Sequence, residues 1–201
     1  MIHADRLSPR GRRPTVACDY TAILLLIGAL ALGGCASVRY PEVDFTHRGA
    51  ATIAPSGETV QRIHALGHAL IDLSPTVDPL EAQRLAEAAV LYPMQLANRY
   101  QLVAPPLLHN TLVNSGLRPR GLCREWTEDL MNHLRTLDPR SFELHWGIAH
   151  KGRYYSEHSS VVVTARGQDF ADGIVLDGWR HSGRLVWVRV GDDKYPWIRY
   201  R

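Results

Sequence analysis

The hydrophobic period of this chain changes once, near residue 140, and that change restricts the fold class. Before it, apolar residues recur at helical steps. Val60, Ile63, Gly67, Leu70 and Ile71 return every three or four residues, with Ser56 or Thr59 as candidate caps. Asp78-Pro79-Leu80-Glu81 predicts a second start, in which Asp caps, Pro fits the first turn and Glu81 reaches back. That helix is expected to pass Ala88 and Ala89, kink or break near Pro93, and resume to about Leu102. Pro105-Pro106 ends the region, and a short helix over 107–113 is closed by Asn114-Ser115-Gly116. After the turn Arg118-Pro119-Arg120-Gly121, a helix from about Leu122 to Leu137 carries Trp126, Leu130, Leu134 and Leu137 as its stripe. Asp138-Pro139 stops it.

Beyond that point Phe142, Leu144, Trp146 and Ile148 alternate with Glu143, His145 and Gly147, which is strand patterning. Further strand-like runs cover 159–165, 173–177 and 184–190, with glycine-containing turns between them, and no repeat is evident. Helices first and strands afterwards imply an α+β domain, its N-terminal helices packed on an antiparallel sheet.

The N-terminus reads as a targeting segment. A basic stretch ends at Arg13, an apolar run covers about Thr21 to Leu32, and Leu32-Gly33-Gly34-Cys35 follows. About a dozen apolar residues rise only ~18 Å as a helix, short of a ~30 Å hydrocarbon core. Arg12-Arg13 is poorly flanked by Gly11 and Pro14 for a twin-arginine signal. Leu-Gly-Gly-Cys resembles a bacterial lipobox, which implies a signal peptide over 1–34 and a lipidated Cys35. Ala36 and Ser37 then imply sorting to the outer membrane, facing the periplasm, with the lipid as the membrane anchor. Residues 35–57, punctuated by Pro41, Gly49, Pro55 and Gly57, read as lipidated terminus and linker, and 58–201 as the functional domain. The formal charge of +3 falls to +1 without residues 1–34, which hold four arginines against two aspartates. So balanced a domain gives no case for nucleic-acid binding.

Cysteine usage then becomes informative. Of Cys18, Cys35 and Cys123, the first is removed with the signal and the second acylated, which leaves Cys123 as the one thiol in an oxidising compartment. It is either a buried small hydrophobe or reactive for a purpose. It follows Gly121 at a predicted helix start, where unpaired backbone N–H groups and the helix dipole favour a thiolate and a tetrahedral oxyanion. A base is expected from the strands. A hairpin turning at Gly167-Gln168 sets His158 directly opposite Asp177, on one face of the sheet. Asp177 would then orient the imidazole that takes the thiol proton. His158 also reads as a surface strand residue, with His145 or His150 as substitute bases, and Asp177 as the opening of an Asp-Gly turn.

Gly121-Leu122-Cys123-Arg124-Glu125-Trp126, His158-Ser159-Ser160-Val161 and Leu176-Asp177-Gly178-Trp179 resemble, in order, the three blocks of the transglutaminase-like, papain-related superfamily. The resemblance spans roughly residues 78–195. It implies a transglutaminase-like core with Cys123 as nucleophile, His158 as base and Asp177 as orienting acid. It also implies cofactor-free acyl transfer or amide hydrolysis on peptide or protein substrates, peptidoglycan stem peptides included. Asn110 and Asn114 are candidate oxyanion donors or plain helix-end residues. The alternatives are an NlpC-type peptidoglycan endopeptidase, which typically shows Asp-Cys-Ser rather than Gly-Leu-Cys-Arg, and a non-catalytic envelope binding module on the same fold.

Other features have two readings each. His64 and His68 stand one turn apart, with Asp72 as a third possible ligand, but position 65 lacks a zincin's glutamate, and such histidines commonly edge a core. Arg118, Arg120 and Arg124 either bind a substrate carboxylate or form a solvated loop. Trp146, Trp179, Trp187 and Trp197 either line a groove or pack the core.

Overall fold

The computed structural model describes residues 36–43, 55–153 and 156–200. The expected signal peptide, Cys18 and Cys35 lie outside the described residues. The elements are β1 (Ala36–Ser37), α1 (Gly57–Ile71), α2 (Pro79–Arg99), β2 (Val103–Ala104), α3 (Pro106–Asn114) and α4 (Cys123–Arg135). They continue with β3 (Phe142–Ala149), β4 (His158–Ala165), β5 (Ile174–Asp177), β6 (Val186–Arg189) and β7 (Trp197–Arg199). The architecture is α+β: helices precede an antiparallel five-stranded sheet of order β6-β5-β4-β3-β7.

Local signals account for the helix starts. Ser56 Oγ accepts the Thr59 N–H, and Asp78 Oδ1 accepts those of Leu80 and Glu81. Two expectations for α2 are corrected. Glu81 does not reach back; its carboxylate accepts the backbone N–H groups of Arg140 and Ser141, which ties the start of α2 to the entry of β3. Pro93 also does not break the helix, which runs as one 21-residue element. Burial holds that turn in place: Pro93 packs into the interior, where a Cβ on Gly178 would stand 2.9 Å from it.

The alternation of the strands divides the sheet into two faces. Phe142, Val161, Val163, Ile174 and Leu176 face the helices and join the stripes of α1, α2 and α4 in the main core. On the other face Ala149, Val162, Val175 and Trp197 pack beneath Phe170, Val190 and Tyr195. β4 is buried along its whole length, as a central strand covered on both faces must be.

The β4–β5 register differs from the expected one. Val161 pairs with Leu176 and Val163 with Ile174, so the register, continued by one pair, sets Asp177 opposite Ser160 rather than His158. A 3-10 turn at Phe170–Asp172 lengthens the connection and moves the pairing by two residues. An even slip keeps every side chain on its face, so His158 and Asp177 become diagonal neighbours on a common face.

The expected linker begins as a docked strap. β1 pairs with β2, and Val38 N–H donates to the Leu102 carbonyl at 2.9 Å. Asn98 bonds the backbone N–H and C=O of Tyr40, both at 2.8 Å, and Glu42 accepts from Ser56 and Thr59 at the start of α1. Val43 is buried. The strap's apolar residues and β2's open edge explain the docking. β7, pairing with β3, is a further strand that the sequence reading did not anticipate.

Candidate active site

The start of α4 is held by three side chains, those of His109, Trp126 and Glu125. Gly121 adopts φ +134°, and its α-carbon lies against the His109 imidazole so closely that a Cβ would sit 2.3 Å from the ring. His109 is fully buried; its Nδ1 accepts the Val103 N–H, so Nε2 carries the proton donated to the Arg120 carbonyl at 2.9 Å. Trp126 Nε1 donates to the Gly121 carbonyl at 3.0 Å. Glu125 accepts the N–H groups of Gly121 and Leu122 at 2.7 and 2.9 Å, a reverse cap from the third helical residue. The Cys123 and Arg124 N–H groups have no acceptor among the described residues. They stand open at the positive end of the helix, beside a half-buried thiol.

His158 opens β4, and its Nε2 lies 2.6 Å from Asp177 Oδ2, both side chains almost fully buried. Asp177 also accepts the Trp179 and Arg180 backbone N–H groups, each at 3.0 Å, and Arg180 Nε at 3.1 Å. Arg180 then grips Asp193 through both terminal nitrogens, at 3.1 and 2.7 Å. Although burial opposes its charge, this set of donors holds Asp177 below the usual carboxylate range. Trp179, Tyr195 and Trp197 surround the imidazole at 4.9, 5.0 and 5.4 Å between centroids.

With Nε2 bound to Asp177, the chemistry falls to Nδ1, which is buried without a closed hydrogen bond. Cys123 is close enough to the ring to act on its charge. Burial disfavours the imidazolium, but Asp177 and the Cys123 sulfur outweigh it and raise His158 to about 9. The Cys123 sulfur also lies 4.0 Å from the Glu157 carbonyl, one residue before the base. The three residues singled out from the sequence thus come together: a thiol at a helix start, an imidazole and a buried carboxylate. The arrangement can move a proton from sulfur to imidazole, leaving a thiolate, and it offers two free amides to the oxyanion that forms when a thiolate adds to a carbonyl.

The other candidates fall elsewhere. His145 is buried with Nε2 2.9 Å from Thr164 Oγ1, and His150 packs its ring toward Tyr195. His64, His68 and Asp72 are exposed. Asn114 is exposed at the end of α3, whereas Asn110 is half-buried and accepts Trp179 Nε1–H at 3.1 Å, which brings it beside the site. Of the tryptophans, Trp146 lines a groove and Trp187 stacks under Arg62.

Arg180, Asp193, Tyr195 and the His109–Gly121 contact were missed by the sequence reading. Arg180 stands three residues after Asp177, which is a usable signal. Asp193 and His109 have none, because long-range packing alone brings them in. Compared with protein-family models, curated proteins and solved structures, the chain matches none.

Proposed function

We propose that this protein is a thiol-dependent acyl-transfer or amide-hydrolysis enzyme in which Cys123, His158 and Asp177 form the catalytic triad, on a transglutaminase-like, papain-related core. The observation that carries the reading is the buried His158–Asp177 pair, whose remaining ring nitrogen is left for the thiol at a helix start.

The Cys123 thiol gives its proton to His158 Nδ1, and the thiolate attacks an amide carbonyl. The carbonyl π pair moves to oxygen, where the Cys123 and Arg124 N–H groups can receive it. Collapse of the tetrahedral species breaks the C–N bond while His158 returns its proton to the departing amine. The resulting thioester is opened by water, or by a second amine, with His158 as base. Asp177 keeps the ring in the tautomer and orientation that both steps need. Substrates are peptides or proteins of the bacterial envelope, with peptidoglycan stem peptides included, and Cys35 acylation tethers the enzyme to the outer membrane.

The test is the rate of Cys123 alkylation by iodoacetamide from about pH 5 to 10, for the chain beginning at Ala36. An activated pair keeps the reaction fast well below the ~8.5 of a free thiol, and His158→Ala slows it at least tenfold near pH 6.5. Asp177→Asn is expected to weaken that advantage without abolishing it. A rate that follows ordinary thiol titration and ignores both substitutions overturns the reading.

A further inference from the structure

A groove of about 470 Å³ opens beside the candidate site, lined by chain neighbours of two of its residues: Arg124 after Cys123, and Glu157 and Ser159 around His158. Its floor is the helix-facing side of the sheet, where Ile148 pairs with Ser159 and Trp146 follows two residues before; Tyr200 adds a second aromatic wall. The size suits one or two amino-acid side chains.

The groove's charges are mostly committed. Arg120 is paired with Glu128 and Asp129, each at 2.9 Å. Glu125 is bound to the Gly121 and Leu122 N–H groups, and Glu157 to that of Gly152 at 2.6 Å. Arg118, the third arginine of the sequence cluster, bonds backbone carbonyls of Gln101 and Leu117. Arg124 is exposed and, among the described residues, has neither ion-pair nor hydrogen-bond partner. The Ser159 hydroxyl is likewise unpartnered among them.

We infer that this groove is the side-chain subsite of the enzyme and selects a substrate residue with an apolar stem and a carboxylate end, with Arg124 as its charge partner. The inference rests on the proposed triad. Trp146, Ile148 and Tyr200 take the methylene stem; Arg124 and Ser159 take the carboxylate. The neighbouring glutamates set a limit. A doubly charged phosphate meets about twice the repulsion that a single carboxylate does from the glutamates lining the groove, Glu125, Glu128 and Glu157. A lysine side chain finds those glutamates already engaged and Arg124 against it.

The test uses dipeptidyl chloromethyl ketones, acetyl-Xaa-Ala and acetyl-Ala-Xaa, with Xaa as Glu, Gln, Leu or Lys. Each forms a Cys123 S–C bond with loss of chloride, followed by intact mass. Every rate is divided by the same protein's rate with iodoacetamide, which removes any change in the thiol itself. The expected result is a preference for Glu over Gln and Lys of about tenfold at one of the two positions. Arg124→Gln should erase it, Arg124→Lys keep part of it, and Arg124→Glu turn the ranking toward Lys. Equal rates for all four side chains, or a Glu preference that survives Arg124→Gln, would overturn the subsite. Loss of His158-dependent alkylation would instead strike the triad, so the two failures are distinct.

Discussion

At the scale of single residues, His158 carries the pH dependence of the site. Its folded value of about 9 lies above the ~6.5 of a free imidazole, so the imidazolium is the form that the fold stabilises. That stabilisation is fully present below about pH 6.5 and is lost as pH rises through about 9; its size is on the order of 3 kcal/mol for a group this buried. Urea unfolding of the wild type and His158→Gln should therefore show a gap that is widest at pH 6.5 and nearly closed by pH 10. Turnover of any amide substrate should fall over the upper part of the same window, because the leaving amine then lacks its proton donor. A gap that grows with pH would refute the assignment of the charged form. Asp177 contributes in the opposite direction. Its depressed value means that its share is present at neutral pH and lost on strong acidification.

At the scale of elements, the contact between α3 and the start of α4 decides where the thiol stands. α3 is short, and His109 is its buried residue, pressed against Gly121 with a ring nitrogen on the Arg120 carbonyl. Gly121 meets two demands that no other residue meets together: a φ of +134° and a ring at 2.3 Å from the position of a Cβ. Gly121→Ala is expected to cost about 2–4 kcal/mol, through backbone strain and displacement of the His109 ring. The denaturation midpoint measures the cost, and the iodoacetamide profile shows whether Cys123 has left its place. Full retention of both would mean that the loop relaxes without disturbing α4. The even register slip between β4 and β5 belongs to this scale as well. An odd slip would have sent His158 and Asp177 to opposite faces; the two-residue slip kept them together.

At the scale of the whole molecule, residues 36–43 act as a strap rather than a tether. Through Tyr40 and Glu42 the strap joins α2, the start of α1 and, by the Tyr40 hydroxyl on the Ser182 carbonyl at 3.1 Å, the turn after β5. If Cys35 is acylated, the strap begins one residue from the lipid, so the domain's stand-off from the membrane is short. Asn98→Ala removes both bonds to the Tyr40 backbone and is expected to lower stability by about 1–3 kcal/mol. It should also expose 36–43 to limited proteolysis, while the rate of Cys123 alkylation stays within twofold. Unchanged cleavage would show that β1 and Val43 suffice to hold the strap.

The sequence by itself determined the class of the fold and picked out Cys123, His158 and Asp177, the last two of which the fold brings into contact. Periodicity is local, and one change of period separates the helices from the sheet. The cysteine after Gly121 is local as well, whereas the His158–Asp177 contact needed the strand pairing, which the spacing placed two residues off. Tertiary structure decided the rest. The strap docked because β2 offered an open edge and Asn98 a matching amide. β7 was decided by pairing with β3, since three residues of Trp197–Arg199 carry too little pattern on their own. Arg180 joined Asp177 to Asp193 across the turn, and His109 reached Gly121 from another helix. These are long-range meetings of polar groups that must be satisfied once buried, and no spacing along the chain announces them.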